Sequence, residues 1–255
     1  VYGELVRMHR EEGLSFKNVI TFNLDEYYPM QPEALQSYVL FMKAHLFDHI
    51  DIPKENINVP SGTLQLGDIE AYCTAYEKKI MSYGGIDIQL LGIGRTGHIG
   101  FNEPGSDDKT ITRLVRLDNL TRRDAIDDFG GLEKVPYEAI TMGVKTILNA
   151  REIYILAWGQ HKADIVKWAV EGPVTAQIPS TYLQNHSQVR FLLDKAAASK
   201  LTKVETPWIA GACNWDDDLA CKAVTWLSQK IDKPILKLTD EDYNEHGLSE
   251  LLLKR

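Results

Sequence analysis

Short apolar runs alternate along this chain with stretches whose apolar residues recur every three or four positions, and that alternation restricts it to layered α/β folds. Residues 19–24, 86–91, 152–158 and 189–193 are rich in strand formers and read as strands. Between them, residues 34–48 place Leu35, Tyr38, Val39, Met42 and Leu46 on one helical stripe. Residues 69–83 repeat the theme with Ile69, Tyr72, Tyr76 and Ile80. Asp68 stands at the N-cap position, and Gly84-Gly85 break the helix. Helical spacing returns at Ile165, Val166, Trp168 and Ala169 and stops at Gly172-Pro173. Strands joined through helices imply right-handed crossovers and a mostly parallel sheet flanked by helices.

The chain opens on Tyr2, Leu5, Val6 and His9 at helical spacing, with Gly13 as the stop and no initiator Met. It closes abruptly on Leu251-Leu252-Leu253-Lys254-Arg255. The expectation is that sequence continues beyond both ends. A polar stretch from Lys195 to Val204 precedes Trp208-Ile209-Ala210-Gly211, an amphipathic segment over 218–231, and Pro234-Ile235-Leu236-Lys237-Leu238. These read as a small strand–helix–strand unit. The expected domains are therefore residues 1–200 and an extension over 201–255.

Charge and cysteine usage exclude several classes. A net charge of -8 disfavours a general nucleic-acid surface, which needs cations against phosphate. No apolar run reaches the roughly 20 residues that span a bilayer, and no secretory pattern precedes the first helix. Cys73, Cys213 and Cys221 are far apart and odd in number, which fits reduced thiols in a cytoplasm. A small anionic substrate needs only a few local cations, and acidic composition does not exclude it.

In open α/β sheets, ligands bind beyond the carboxyl ends of strands. Two polar clusters follow apolar runs in that way. One is Asp25-Glu26-Tyr27; the other is the loop from Gly92 to Pro104. Glycines there permit close backbone approach. His98 is of the residue type that exchanges protons near neutral pH. Glu103 follows five residues later, within reach of the imidazole if the loop folds back. Two carboxylates and a His from separate strand ends suit proton transfer beside a carbonyl or imine. From the residues alone, a capping role for Asp25 and a plain glycine turn stand as even alternatives. His45 and His49 share a helix face without a third metal ligand, Tyr72 and Tyr76 read as packing, and Trp215-Asp216-Asp217-Asp218 reads as an N-cap with first-turn acids.

FNLDEYY at residues 22–28 and GIGRTGHIGFNEPG at residues 92–105 together resemble the glucosamine-6-phosphate deaminase family. FDHIDIPKENINVPSG at residues 47–62 and AVEGPVTAQIPSTYLQNH at residues 169–186 extend the resemblance, which runs from about residue 1 to 194. It implies a modified doubly wound, Rossmann-like α/β fold without metal or redox cofactor. It implies conversion of glucosamine 6-phosphate to fructose 6-phosphate and ammonia. By resemblance, Asp25 matches the proton-shuttling aspartate, His98 the histidine of ring opening, and Glu103 the carboxylate supporting it. Lys162 matches a lysine that binds the substrate phosphate, and Gly94, Thr96 and Gly97 belong to the same substrate-binding set.

The departures are specific. Thr96 stands where many relatives have Asp or Asn, and Asp127 where some have a phosphate-binding Arg. Neighbouring Arg122 or Arg123 is the expected substitute. Arg113 matches an allosteric-site arginine, but Val115 stands where its lysine partner would be. The family's Gly/Thr-rich phosphate loop lies upstream of this sequence. The resemblance also suggests homo-oligomers. A 6-phosphogluconolactonase of the same broad fold and a non-catalytic sugar-phosphate sensor are the alternatives.

Overall fold

The structure is a computed structural model describing residues 1–253; Lys254 and Arg255, at the abrupt end noted above, lie outside the described residues. The chain divides into two compact units. The first comprises Val1–Ala157 and Trp168–Leu193, and the second Trp158–Lys167 with the residues from Asp194 onward.

The eight strands of the described residues lie in the first unit: β1 (Thr21–Phe22), β2 (Asp25–Tyr28), β3 (Ile57–Asn58), β4 (Ile88–Gly92), β5 (Arg113–Arg116), β6 (Glu138–Thr141), β7 (Glu152–Ala157) and β8 (Val189–Leu193). β1 pairs parallel with β3, and β4, β7 and β8 form a parallel sheet in the order β4-β7-β8. The parallel pairing matches the expected architecture. The third sheet, β2-β6-β5, is antiparallel and departs from the expected parallel pairing. It moves Asp25 and Glu26 from the expected loop into the first two positions of a strand, with Asp25 opposite Thr141. In β7, Ile153, Ile155 and Ala157 are buried while the alternate side chains are half-exposed. The sheet thus packs on one face, and Ile88, Leu90 and Leu192 stay exposed on its neighbours.

Helix α1 (Tyr2–Glu12) ends on Gly13, whose φ of 76° places it in the left-handed region that terminates helices. Its Val6 packs with Phe16, Met42, Leu46, Phe47 and Ile52 in one core cluster. Helix α2 (Tyr38–His45) starts later than the apolar stripe suggests, because the Ser37 side chain accepts from Val39 N and caps it. Leu35 is left exposed. Helix α3 (Ile69–Ser82) buries Ile69, Cys73, Tyr76 and Ile80, four of its inward positions. Asp68 occupies the N-cap position without a side-chain cap bond. Helices α4 (Asn119–Asp124) and α5 (Ile126–Phe129) follow β5. Helix α6 (Val144–Leu148) follows β6, and α7 (Ala163–Glu171) follows β7.

The second unit is helical, which corrects the strand–helix–strand expectation. Its helices α8 (Thr202–Glu205), α9 (Pro207–Ala210), α10 (Asp217–Lys230), α11 (Asp240–Glu245) and α12 (Ser249–Leu252) enclose a core of Trp208, Ala223, Leu227, Tyr243, Leu248 and Leu251. Two capping devices decide the outcome. Asp216 accepts from Leu219 N at the start of α10, and Thr239 forms a capping box with Asp242 at α11. Among the described residues, no helix is long and apolar enough to cross a membrane.

Candidate active site

β4 ends at Gly92, and the chain turns at once through the glycine loop. Gly94 N donates to His98 O at 3.0 Å and Gly97 N to Gly94 O at 3.0 Å, closing a tight turn with Gly97 at φ 79°. The His98 ring lies against the Gly94 α-carbon, where a methyl group would overlap Cε1 and Nε2. The rest of the loop is fixed from several directions. Ser180 N donates to Gly97 O at 2.9 Å, and Gly105 N donates to Ala176 O at 2.7 Å. The Thr141 hydroxyl accepts from Phe101 N at 3.1 Å. Asn102 is fully buried and donates to Ile99 O at 2.9 Å and Met142 O at 2.8 Å. Its Oδ1 accepts from Arg113 at 2.9 Å, and the same guanidinium donates to Ser106 Oγ at 3.0 Å. Arg113 therefore clamps both sides of Glu103, and burial lowers its own basicity.

His98 and Glu103 meet as the sequence suggests. Nδ1 lies 3.2 Å from Glu103 Oε2. The approach is not aligned as a hydrogen bond, because Oε2 lacks a directed donor. Nδ1 instead lies closer, at 2.9 Å, to the Thr96 hydroxyl, with the Thr121 hydroxyl of α4 at 3.4 Å. Glu103 thus supports the imidazole chiefly through charge across a short gap, and two hydroxyls share the same ring nitrogen. Burial pushes the Glu103 carboxyl up, but His98, Thr121 and the Asp118 N–H outweigh it and hold the carboxyl below its ordinary range. An ionised carboxylate beside Nδ1 favours the tautomer that carries its proton there, leaving Nε2 as the acceptor.

Asp25 reaches the same turn from β2. Its Oδ2 lies 3.3 Å from the position a Cβ on Gly100 would take, and Thr141 Oγ1 lies 2.9 Å from it. Only a glycine, here with φ 55°, fits between them. Asp25 is half-buried as a residue, but its carboxyl is desolvated. Burial, reinforced by the charge of Glu26, pushes it up to about 7.

Of the remaining sequence-derived residues, Gly94, Gly97 and Thr96 fall in this loop. Lys162 closes a 3-10 turn over Gln160–Lys162 in the second unit, and its phosphate role rests on the resemblance alone. Arg122 is a correction. Its side chain is buried and donates to Leu132 O at 2.9 Å, Val135 O at 3.0 Å and Pro136 O at 3.2 Å, with the guanidinium 3.7 Å from the Tyr137 ring. Those contacts make it a tie between α4 and the segment after α5, not a group offered to an anion. Arg122→Leu strands three carbonyls and is expected to lower stability by about 3 kcal/mol, read as a shift in the urea midpoint. An unchanged midpoint would contradict the tie. Arg123 is exposed, as is Asp127. The sequence reading named Glu26 only as part of the Asp25-Glu26-Tyr27 cluster and Asn102 only within the loop motif, gave Thr121 and Thr141 no role, and gave Arg113 only the allosteric correspondence. The Asn-Glu pair standing before Pro104 in the glycine loop was the available signal for Asn102.

The family model for glucosamine-6-phosphate isomerases and 6-phosphogluconolactonases matches residues 1–192. A putative glucosamine-6-phosphate deaminase-like protein of Bacteroides thetaiotaomicron is 52% identical over 99% of this chain, and the chain spans 38% of that protein's length. A glucosamine-6-phosphate deaminase of Cellvibrio japonicus is 48% identical, over 80% of this chain and 77% of its own. Among solved structures, a monomeric glucosamine-6-phosphate deaminase superposes with a TM-score of 0.75 at 42% identity, covering 78% of this chain and 82% of its own. A 6-phosphogluconolactonase from Trypanosoma brucei superposes with a TM-score of 0.61 at 21% identity over 77% of this chain and 80% of its own, a likeness of fold only.

Proposed function

The chain belongs to the family of glucosamine-6-phosphate isomerases and 6-phosphogluconolactonases, and from that premise we propose that it deaminates glucosamine 6-phosphate to fructose 6-phosphate and ammonia. The deaminase arm is favoured over the lactonase arm by relatives of that name at 43–48% identity, against 21% for the lactonase fold match. The observation that carries the chemistry is the convergence on one glycine turn of Asp25, raised to about 7, with the His98–Glu103 pair.

His98 Nε2 takes the proton from the ring hydroxyl and returns it to the ring oxygen, opening the sugar. Asp25 removes the C2 proton and delivers it to C1 while a proton passes from the C2 ammonium group to the aldehyde oxygen, which converts the open-chain aldehyde through an enolamine into a C2 iminium. Water adds to C2, and the amine leaves as ammonia. Glu103 stabilises the charged imidazole when it forms, and Thr96 supplies a neutral hydroxyl where an acid would add charge. The correspondence in sequence assigns Lys162 to the phosphate, as a point charge.

The test is coupled measurement of ammonia and fructose 6-phosphate formed from glucosamine 6-phosphate by the full-length protein. Equal amounts of both support the reading. A folded protein that binds the sugar phosphate and releases no ammonia would turn it into a sensor. A carboxylate base acts only when ionised, so kcat/KM is expected to fall as pH drops below about 7, about tenfold per unit. A profile flat down to pH 5 would remove Asp25 from the base role.

A further inference from the structure

The polar stretch that follows β8 is bonded to the turn that carries Lys162. That turn, Gln160–Lys162, is a single 3-10 turn closed by Lys162 N donating to Gly159 O at 3.0 Å. Gln160 and His161 are exposed, and a 3-10 turn has poorer hydrogen-bond geometry than an α-helix, so it holds itself weakly. Its support comes from residues 194–200. Ahead of the turn, Gly159 sits at φ 88° and its N–H donates to both Asp194 carboxylate oxygens at 3.1 Å. Asp194 Oδ1 also accepts from Ala197 N at 2.7 Å. Within the turn, Gln160 Oε1 accepts from Ser199 Oγ at 3.3 Å. Beyond it, on α7, Asp164 Oδ1 accepts from Lys200 Nζ at 2.5 Å, and Lys167 Nζ donates to Lys200 O at 2.8 Å. All of these residues belong to the second unit.

We propose that Asp194 is a positioning residue for the substrate phosphate: with Ser199 and Lys200 it forms a clasp that fixes the turn bearing Lys162 and so sets that lysine's affinity for a phosphate monoester. The inference rests on the phosphate reading of Lys162. A lysine is a point charge on a flexible four-carbon stem, and its attraction for an anion must offset the cost of ordering the side chain and the backbone beneath it. A turn already fixed before the ligand arrives removes the backbone share of that cost. Asp194 is the principal member, because a carboxylate accepting backbone N–H groups makes charge-assisted bonds. The Lys200–Asp164 pair is exposed and adds less, since solvent screens it. A carboxylate that served only its own local turn would need only the bond from Ala197 N. The bonds from Gly159 N reach 35 positions back along the chain, to the residue directly before the Lys162 turn.

The experiment measures, by calorimetry on the full-length protein, the affinity for the reduced open-chain amino alcohol phosphate, which cannot react, and for its unphosphorylated counterpart. The ratio of the two reads what the phosphate contributes, and a general loss of stability does not move it. Lys162→Met is expected to lower that ratio by about tenfold or more. Asp194→Ala is expected to lower it by about three- to tenfold, leaving the unphosphorylated ligand's affinity unchanged. In the double variant the loss is expected to be no larger than in Lys162→Met alone, because both act through one group. Asp194→Asn keeps an acceptor oxygen for Gly159 N and is expected to restore most of the ratio. Lys167→Met cuts the far end of the clasp and is expected to shift the ratio the same way, which keeps the test open should Asp194→Ala not fold. A ratio that is unchanged in Asp194→Ala, or a loss that adds in full to that of Lys162→Met, overturns the proposal. A ratio that survives Lys162→Met removes the phosphate reading of Lys162, and the clasp's role falls with it. The expected pattern in a protein that releases no ammonia upholds the clasp and removes the deamination reading instead.

Discussion

Asp25→Asn is expected to lower turnover of glucosamine 6-phosphate by roughly 10²–10⁴-fold while leaving binding of a non-reacting substrate analogue intact. The amide keeps the size and the place beside Gly100 but cannot accept the C2 proton. The same substitution is expected to stabilise the protein. The folded value of Asp25, about 7, lies above the unfolded value near 4. Folding therefore favours the protonated form. This group's contribution is fully present below about pH 4 and is lost as pH rises through 7, so at pH 8 the wild type carries a buried charge that opposes folding. Asparagine removes that charge. Because Asp25 keeps some solvent contact, the gain at pH 8 is about 2 kcal/mol, less than the full shift implies. Denaturant titrations at pH 4 and pH 8 read the difference, which is expected only at the higher pH. Wild-type turnover in the variant would show that another group is the base. Equal stability at pH 8 would show that the carboxyl is not desolvated.

Gly94→Ala is the second large expected effect. The added methyl would occupy the space of His98 Cε1 and Nε2. The ring has little freedom to yield, because Nδ1 is held among Thr96, Glu103 and Thr121, and the backbone of residue 98 is bonded to Gly94 itself. The imidazole must move by about an ångström, a displacement that costs roughly 10²-fold in kcat/KM when the group is catalytic. Gly67→Ala is the matched control, since a methyl there meets nothing within 4 Å and its activity should be unchanged. A Gly94→Ala protein with wild-type kcat/KM would mean that the observed ring position is not the reacting one.

Much of this site was legible along the chain. The run into Gly92, the glycines at 94 and 97, His98 and Glu103 lie within one short segment, and the turn that joins them is closed by its own backbone bonds. Local spacing was enough to place the imidazole near its carboxylate. The same reasoning failed for Arg122, which lies beside the site in sequence but turns its guanidinium into carbonyls ten to fourteen residues downstream. It failed also for residues 208–238, where short apolar runs resembled strands and the caps at Asp216 and Thr239 made helices.

The sequence by itself determined the strand-to-glycine-loop unit and the parallel pairing of its strands with helices between them, and it brought Asp25, His98 and Glu103 forward as candidates. Each follows from periodicity or from a motif read over a few neighbouring residues. Only the tertiary structure decided that Asp25 opens an antiparallel strand opposite Thr141, and that Gly100 brings the glycine loop against it. It alone showed Arg113 gripping Asn102 and Ser106, and Glu26 tied to the start of α2. The physical reason is that strand pairing and the burial of a charge depend on residues tens of positions apart. Local propensity says what a segment prefers, but the desolvation that sets a carboxyl's proton affinity comes from whichever distant segments pack around it.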